Sequence, residues 1–513
     1  MQDIKIKYQN NLIKCLILFI IIILIFTLRY LYSTVVILDW DEGVYFTLAQ
    51  DIVNGGIPYL TSWDNKGPIL YFMFALIIKL FGNNIFPLRI FTTFYLLISM
   101  IFIYLIANKF TNSKASLFAP LIYGLFFTTS KFGGLASNSE IFMMLPAIIA
   151  TYCFISYKQN RNLSTLMLYL CGFFSALAFF IKGSIIFTVA ISPIILITHK
   201  LKSQQYTWKL FLKDMFVFVS GAMTPTLILL YYLYFHNALA DFYYAYFIFN
   251  NQQISTITWL QGTQKLIDFL YYAITNDFIT ITAFVLFFIA LIYKYYKKDF
   301  GDNFLFILLL FFLSLIGVYL GRNIDRVNYA HYFLQMGLPF TLMILISITI
   351  LETYNKWFHN IIILILLVII SIIFYKYCIP LNKYLNAKFQ ANDPCNIIAA
   401  YISANTKKED TIFVRGDTII YFLSARKAPT KYFSVMFHLY RSQYILNPKE
   451  NTLRAFAKNK PKYFVYRDFE WAKNKYAGDA YLKDFMLANY HIEKIFESYT
   501  PGEPYYLYKV NLK

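Results

Sequence analysis

The sequence contains little charge for its length. Asp, Glu, Lys and Arg make up 14% of its 513 residues, whereas hydrophobic residues make up 59%. A soluble domain carries about 25% charged residues, so this shortage excludes an ordinary soluble protein. Apolar runs of about 14 to 20 residues recur along the chain, and runs of this length cross a bilayer as helices. We therefore predict a polytopic α-helical membrane protein.

Cysteine is also scarce, with five residues in the chain. Cys15, Cys153 and Cys171 lie in apolar runs, where a thiol acts as a small hydrophobic group. Cys378 and Cys395 flank the end of the membrane region and are candidates for a disulfide if that side is oxidising. No Cys and His spacing in the sequence is typical of zinc, and neither an internal repeat nor a dinucleotide-binding fingerprint is found.

Acidic residues are fewer than basic ones, 27 against 46, which gives a net charge of +19. Because the basic residues are scattered at loop edges, they indicate lipid headgroups and the positive-inside rule, not nucleic acid. Lys5, Lys7 and Lys14 precede or open the first apolar run without a cleavage pattern after it, which predicts a retained signal anchor. We predict a bacterial inner-membrane protein with a cytoplasmic N-terminus and an extracytoplasmic, periplasmic C-terminal domain.

Eleven runs are predicted to span the membrane as helices, since backbone polar groups have no water partners in lipid. They are Leu12–Leu28, Leu88–Ile106, Ala115–Thr129, Ile141–Tyr157, Leu163–Ile181, Ile185–Ile197, Met215–Tyr234, Phe278–Tyr293, Phe304–Leu320, Tyr332–Leu351 and Ile361–Phe374. Ile69–Phe81 is apolar but too short to cross. We predict that it is an interfacial helix under the loop that precedes it.

The composition changes to that of a soluble domain after Pro380. We predict a transmembrane domain over residues 1-380, with a first extracytoplasmic loop over 30-87, and a soluble extracytoplasmic α/β domain over 381-513. Its predicted strands are Thr411–Val414, Lys462–Tyr466 and Tyr505–Val510, and its predicted helices are Asn396–Ala404, Thr452–Asn459 and Tyr481–Asn489. The domain carries no catalytic motif, and we interpret it as a lid or an acceptor-docking module.

The first extracytoplasmic loop opens with three carboxylates, Asp39, Asp41 and Glu42, within four residues. Carboxylates held close together raise one another's proton affinity, which is one way to obtain a general base. Asp41 and Glu42 diverge by about 100° if they lie on a helix, so that one can face a cleft while the other orients it. The alternative is that Asp39 and Asp41 only cap the following helix, which is predicted over Gly43–Val53.

The same loop ends in Trp63-Asp64-Asn65-Lys66-Gly67-Pro68. A lysine at the membrane edge, ahead of a helix that starts at proline, can meet a lipid phosphate as a point charge. Ordinary snorkelling of a lysine at the interface is the alternative.

A later polar loop, Gly321–Tyr332, is predicted to emerge on the same side. Its two arginines, histidine and two tyrosines can bind a phosphate or pyrophosphate group. Alternatively, Arg322 and Arg326 pair with Asp325, and His331 is structural. Glu140 and Lys182 mark the outside ends of spans, where ionisable groups are candidates for function.

The acidic pair, the stretch GGIPYLTSWDNKGPILYF and the late stretch RVNYAHYFLQMGLP resemble the GT-C superfamily of integral-membrane glycosyltransferases. The resemblance is to the bacterial branch related to protein O-mannosyltransferases and to the lipid A aminoarabinose transferase. It implies transfer of a hexosyl or pentosyl group from a polyprenyl-phosphate carrier to an envelope acceptor, which is lipid A, a glycan or a protein. With one carboxylate as base, transfer is expected to invert the anomeric centre.

The resemblance also implies roles for individual residues. Asp41 would be the catalytic carboxylate and Glu42 its supporting acid, while Lys66 would contact the carrier phosphate. The late loop would supply the residues that face the phosphate and the sugar, namely Arg326, Tyr329, His331 and Tyr332. Glu140 and Asp64 would be secondary acidic groups.

Three departures from the aminoarabinose-transferase motif concern the phosphate ligands, the acceptor and any metal. Gly43-Val44-Tyr45 stands where that motif has an arginine, Asn65 stands where it has a glutamate, and Gly67 replaces a proline. The sequence shows no certain cofactor and leaves a divalent metal open.

Two other functions remain as alternatives. A polysaccharide ligase or polymerase would use the same lipid-linked donor on the same side. A transporter or flippase of lipid-linked sugars would need ionisable residues in mid-span or matching pairs of broken helices. The span prolines, Pro146, Pro193, Pro225 and Pro339, do not form such pairs.

Overall fold

Helices make up nearly all of the described chain up to residue 354. The computed structural model describes residues 2–111, 114–128, 132–159, 163–203, 205–255, 258–298, 300–322, 330–354, 393–438, 445, 447–467, 479–498 and 502–511. The first seven helices are α1 Gln2–Tyr30, α2 Trp40–Val53, α3 Pro68–Phe81, α4 Ile85–Thr111, α5 Phe118–Thr128, α6 Ser139–Gln159 and α7 Ser164–Phe179. The next nine are α8 Ile186–Val189, α9 Ile191–Lys202, α10 Trp208–Phe235, α11 Leu239–Tyr243, α12 Asn250–Ser255, α13 Trp259–Asn276, α14 Phe278–Lys297, α15 Gly301–Arg322 and α16 Gly337–Tyr354.

Eight helical segments of the described chain are long and apolar enough to cross a membrane. They are Asn11–Tyr30, Ile85–Thr111, Ser139–Tyr157, Gly183–Lys202, Trp208–Phe235, Phe278–Lys297, Gly301–Gly321 and Ala330–Ile350. Two further predicted spans correspond to shorter apolar helices, Ala115–Thr128 and Ser164–Phe179. The prediction of a multipass helical membrane protein is confirmed, and the eleventh predicted span, Ile361–Phe374, lies outside the described residues.

The spans divide into central and peripheral helices. Ser139–Tyr157 and Ala330–Ile350 have nearly all of their side chains buried, whereas Asn11–Tyr30 and Trp208–Phe235 are largely exposed. Because exposed side chains on these two spans are mainly apolar, they can face lipid without cost. Glu140 and His331 lie at the first turns of these two buried segments. The core of the bundle therefore holds both polar residues in place.

α3 matches the predicted short helix Ile69–Phe81. Proline occupies its first position, where the missing N–H costs no intrahelical hydrogen bond, and Leu70, Tyr71 and Phe74 are fully buried. Leu80 and Phe81 are exposed at its end. Its position in the membrane interface stays a prediction.

The C-terminal region is an α/β unit, as predicted. Its elements are α17 Pro394–Asn405, β1 Ile412–Arg415, α18 Ile419–Ser424, α19 Pro448–Lys458, β2 Tyr463–Arg467, α20 Ala480–Asn489, β3 Tyr490–Phe496 and β4 Tyr505–Val510. The strands form one sheet in the order β1-β2-β4-β3, with β1 and β2 parallel and the other pairs antiparallel. The sequence did not predict β3, because a bulge between Ile492 and Lys494 breaks its alternation and leaves polar residues exposed.

The C-terminal region packs directly on α2. Thr47 Oγ1 donates to the carbonyl of Thr418 at 3.2 Å, and Gln50 Nε2 donates to the carbonyl of Phe422 at 3.2 Å. A Cβ on Gly43 would lie 2.7 Å from the backbone nitrogen of Ile419, so only glycine permits this approach. The departure at Gly43 thus has a structural cause. The predicted boundary between 1-380 and 381-513 stays a prediction.

Candidate active site

Asp39, the first of the three carboxylates, caps α2. Its Oδ1 accepts a hydrogen bond from the backbone N–H of Asp41 at 3.0 Å, and its Oδ2 accepts one from Asn138 Nδ2 at 3.2 Å. A carboxylate at this position satisfies a donor that the helix leaves unpaired and favours the positive end of its dipole. The capping alternative therefore describes Asp39.

Glu42 is buried and points towards the helix bundle. Its Oε2 accepts from Arg89 Nη2 at 2.7 Å and from the Leu38 N–H at 3.3 Å, and its Oε1 accepts from the Ser137 N–H at 2.6 Å. Burial raises the pKa of the Glu42 carboxyl, while Arg89 and the two N–H groups oppose the shift. Because both oxygens are occupied, Glu42 ties the start of α2 to α4 and to the turn before α6.

Asp41 is the most exposed of the three carboxylates. Its side chain is 33% exposed, against 21% for Asp39 and 1% for Glu42. Its Oδ2 accepts a hydrogen bond from the Tyr45 hydroxyl at 2.9 Å, one helical turn further along α2. Asp41 is thus oriented by its own helix and keeps an accessible face.

The lysine of the first loop lies next to Asp41. Lys66 Nζ is 3.8 Å from Asp41 Oδ2 and donates to Asn65 Oδ1 at 3.1 Å. The side chain of Lys66 is buried, with 8% exposed. The structure thus brings together the predicted base and the predicted phosphate ligand, which are 25 positions apart in the sequence.

The turn around Lys66 is held from both sides. The Tyr71 hydroxyl donates to Asp64 Oδ2 at 2.7 Å and accepts from the Lys66 N–H at 3.2 Å. A Cβ on Gly67 would lie 1.8 Å from the carbonyl oxygen of Phe180, and the Gly67 N–H donates to Ile181 at 3.0 Å. Glycine at this position therefore lets the Lys66 turn rest on the turn that carries Lys182.

A second group of ionisable side chains lies against Asp41. Lys182 forms an ion pair with Glu140, and its Nζ lies 3.5 Å from the centre of the Tyr332 ring. His331 Nε2 is 3.9 Å from both Asp41 Oδ2 and Glu140 Oε1, and its Nδ1 is 3.5 Å from Asp39 Oδ2. Burial lowers the pKa of the Lys182 ammonium to about 8, although Glu140 opposes the shift. Asp41, Glu140, Lys182 and His331 come from four separate segments of the chain and lie together at one end of the bundle.

Of the predicted site residues, Arg326 and Tyr329 lie outside the described residues. His331 and Tyr332 lie where the late loop enters the bundle, but His331 is surrounded by carboxylates, so its predicted contact with a phosphate stays a prediction. Cys378 also lies outside the described residues, and its pairing with Cys395 stays a prediction.

The acidic groups do not form a metal cage. Among the described residues, no three His, Cys, Asp or Glu side chains are arranged to hold a cation. Asp41 and Glu140 each have an ammonium within 3.8 Å, and an imidazole lies between them. Each of these carboxylates therefore lies beside a basic side chain.

A small cleft opens beside the start of α2. Its lining comes from the first loop and from the C-terminal region: Val36, Ile37, Asp39, Trp40, Glu42, Gly43, Asp417, Thr418 and Ile419. The C-terminal region therefore reaches the candidate site, and its role in acceptor docking stays a prediction.

Solved structures of two other proteins have a fold similar to this one. The structure of ArnT from Cupriavidus metallidurans bound to undecaprenyl phosphate aligns over 95% of this chain and 97% of its own, with a TM-score of 0.59 and 10% identity. The apo form of the same enzyme gives a TM-score of 0.55. The Archaeoglobus fulgidus oligosaccharyltransferase aligns over 88% of this chain and 67% of its own, with a TM-score of 0.50 and 13% identity. The chain has the GT-C fold.

Sequence comparison agrees with this GT-C assignment. The model of the dolichyl-phosphate-mannose-protein mannosyltransferase family matches residues 65–228, which is less than half of the chain. The match includes Lys66, Glu140 and Lys182 but not Asp41 or His331. No curated protein sequence matches. The predicted resemblance to the GT-C superfamily is confirmed.

Two arginines that support the candidate site were missed in the sequence. Arg89 neutralises Glu42, and Arg29 donates to the carbonyls of Phe127 and Gly134, which fixes the segment leading to Ser137. A signal for both arginines existed, because a charged residue within an apolar run needs a buried partner. No sequence signal identified their partners.

Proposed function

We propose that this protein is a glycosyltransferase that moves a sugar from a polyprenyl-phosphate carrier to an acceptor hydroxyl on the extracytoplasmic face of the membrane. The observation that carries this proposal is the pair of Asp41, an accessible carboxylate, and Lys66, an ammonium 3.8 Å away. A carboxylate can accept the proton of a hydroxyl, and an ammonium can hold a phosphate. The matched family is described as using dolichyl-phosphate-mannose, and one ArnT structure holds undecaprenyl phosphate, which supports a polyprenyl-phosphate donor.

In the proposed mechanism, Asp41 is the general base. It takes the proton of the acceptor hydroxyl while the hydroxyl oxygen attacks the anomeric carbon from the face opposite the phosphate. The bond between the anomeric carbon and the phosphate oxygen breaks, and polyprenyl phosphate leaves with the electron pair. Attack from the opposite face inverts the configuration, and one carboxylate is sufficient for this outcome.

The remaining site residues support these two groups. Lys66 would balance the charge that develops on the leaving phosphate, from a side chain that is only 8% exposed. The Tyr45 hydroxyl would keep the Asp41 carboxylate oriented. Glu140, Lys182 and His331 would set the local charge, because each lies within 3.9 Å of the next. Glu42 would position α2 and would not exchange protons.

The proposal is tested with purified full-length protein in detergent and radiolabelled polyprenyl-phosphate sugars. Wild-type protein should produce a covalently labelled acceptor from an envelope extract, and Asp41→Asn should produce none. Asp484→Asn, an exposed carboxylate on α20, is the matched control and should retain wild-type transfer. Movement of label across vesicles without a covalent product would instead show a transporter, and a ladder of repeating units would show a polymerase.

A further inference from the structure

A π-helical turn, Tyr244–Phe249, lies between α11 and α12. Such turns are rare and occur mostly as single turns, frequently near functional sites. This turn is held against the bundle, since the Tyr246 hydroxyl donates to the carbonyl of Phe179. It ends at Asn250, the first residue of α12. The turn therefore delivers the Asn250 side chain to a fixed place beside the Lys66 turn.

Asn250 and Asn65 form a two-way amide contact. Asn65 Nδ2 donates to Asn250 Oδ1 at 2.7 Å, and Asn250 Nδ2 donates back to the Asn65 carbonyl at 3.0 Å. Asn250 Nδ2 also donates to the Tyr246 carbonyl at 2.8 Å. An amide has distinct donor and acceptor ends, so these partners leave Asn250 with only one satisfactory orientation.

The contact also decides how Asn65 faces Lys66. With its Nδ2 donating to Asn250, Asn65 must turn its Oδ1 to the other side, where it accepts from Lys66 Nζ at 3.1 Å. If Asn65 were reversed, its NH₂ group would face the ammonium, and two donors would meet. Hydrogen bonds in such a chain strengthen one another in a buried setting.

The charge of this arrangement matters as well. Asn65 holds the ammonium with a neutral oxygen, where the aminoarabinose-transferase motif has a glutamate. A neutral partner orients Lys66 without cancelling its positive charge. The Asp41 carboxylate oxygen stays 3.8 Å from the Lys66 ammonium. The positive charge therefore remains available to an anion.

We propose that Asn250 is a positioning residue for donor binding, which acts through Asn65 to hold the Lys66 ammonium in place for the carrier phosphate. The inference rests on the proposed role of Lys66. It adds a second segment of the chain, the π-helical turn and α12, to the donor site. Asn250 itself is expected to touch neither the phosphate nor the sugar.

The test is a double-mutant cycle on the affinity for undecaprenyl phosphate, measured with radiolabelled lipid and purified full-length protein. Asn250→Ala should raise the Kd about tenfold, the effect of one hydrogen bond that supports a charged group. Lys66→Met should raise it further, and adding Asn250→Ala to Lys66→Met should change nothing more. In sugar transfer, Asn250→Ala should raise the KM for donor and also lower kcat, because the displaced Lys66 ammonium balances less of the charge that develops on the leaving phosphate.

Asn276→Ala is the matched control, because this exposed amide at the end of α13 donates to the Tyr272 carbonyl and to Thr275 Oγ1, and its loss should leave the Kd unchanged. If Asn250→Ala fails to fold, Asn65→Ala tests the same link and should show the same dependence on Lys66. If Asn250→Ala lowers the affinity for undecaprenyl phosphate equally in the wild-type and the Lys66→Met backgrounds, Asn250 has a general structural role and the inference is overturned. If Lys66→Met leaves the Kd unchanged, the assignment of Lys66 to the phosphate is overturned as well. If Lys66→Met raises the Kd and Asn250→Ala does not, only the role of Asn250 is overturned.

Discussion

Among the described residues, two clusters of ionisable side chains are built differently. In the C-terminal region, Arg467 donates to Asp417 at 2.8 Å and to Glu503 at 3.1 Å, and Arg415 donates to Asp479 at 2.5 Å. All of these side chains are less than 10% exposed. At the end of the bundle, Asp41 keeps a third of its surface exposed, and its contacts with Lys66 and His331 are 3.8 and 3.9 Å long.

The difference separates a structural cluster from a candidate reactive one. Short contacts between buried groups saturate the charges and leave no room for a ligand. Longer contacts around an accessible carboxylate leave charges that a substrate can reach and a proton that can move. The same contrast holds within one helix, since Glu42 is saturated by Arg89 whereas Asp41, the residue before it, is not.

The largest effect on stability is expected in the structural cluster. Arg467→Met removes the guanidinium that pairs with the buried Asp417 and Glu503, which costs about 3–5 kcal/mol of unfolding free energy. The melting temperature of the purified protein in detergent should fall by about 3–5 °C, because the entropy of unfolding grows with chain length. Lys462→Ala breaks the more exposed pair with Asp410 and should cost less than about 1 kcal/mol. Equal losses in the two variants would contradict the distinction between saturated and accessible pairs.

A smaller effect on stability is expected from Glu42→Gln. The amide oxygen can still accept from Arg89, but the negative charge that pairs with this buried arginine is lost. The loss should cost about 2 kcal/mol of unfolding free energy. Because Glu42 positions α2, transfer should fall together with melting temperature. The conservative variant Glu42→Asp should show smaller decreases in transfer and in melting temperature. A variant that loses transfer at full stability would instead place Glu42 in the chemistry.

The smallest effect is expected in the pH dependence of transfer. Burial lowers the pKa of Lys182 to about 8, so the ammonium that balances Glu140 loses its proton as the pH rises through that value. Transfer should therefore fall progressively as the pH is raised above this value. Lys182→Arg keeps its charge and should move this alkaline limb upward. An identical limb in Lys182→Arg and wild type would assign it to another group.

The sequence predicted the fold class and most of the helices because long apolar runs permit few other structures in a membrane. It also predicted that Asp41, Lys66, Glu140 and His331 would emerge on one side, since topology follows from spans and loop charges. It did not predict which groups touch. Arg89 meets Glu42 across 47 positions and Asn250 meets Asn65 across 185, and such contacts depend on helix packing and not on local pattern.

The departures from the resembling motif became interpretable only in the structure. Gly43 and Gly67 mark places where another backbone approaches too closely for a Cβ. In the sequence they looked like missing ligands. Strand β3 was missed for a related reason, because its exposed polar residues and its bulge obscure the alternation that identifies a strand.

The most direct test of the account measures carrier binding and sugar transfer on the same preparation of Asp41→Asn. Because Asp41 is assigned to proton transfer and Lys66 to the phosphate, this variant should bind undecaprenyl phosphate at least as tightly as wild type. Its transfer should fall by about 10²–10⁴-fold, the usual contribution of a general base, at an unchanged melting temperature. Transfer at the wild-type rate, or a loss of carrier binding equal to that of Lys66→Met, would contradict the assignment of Asp41 as the base.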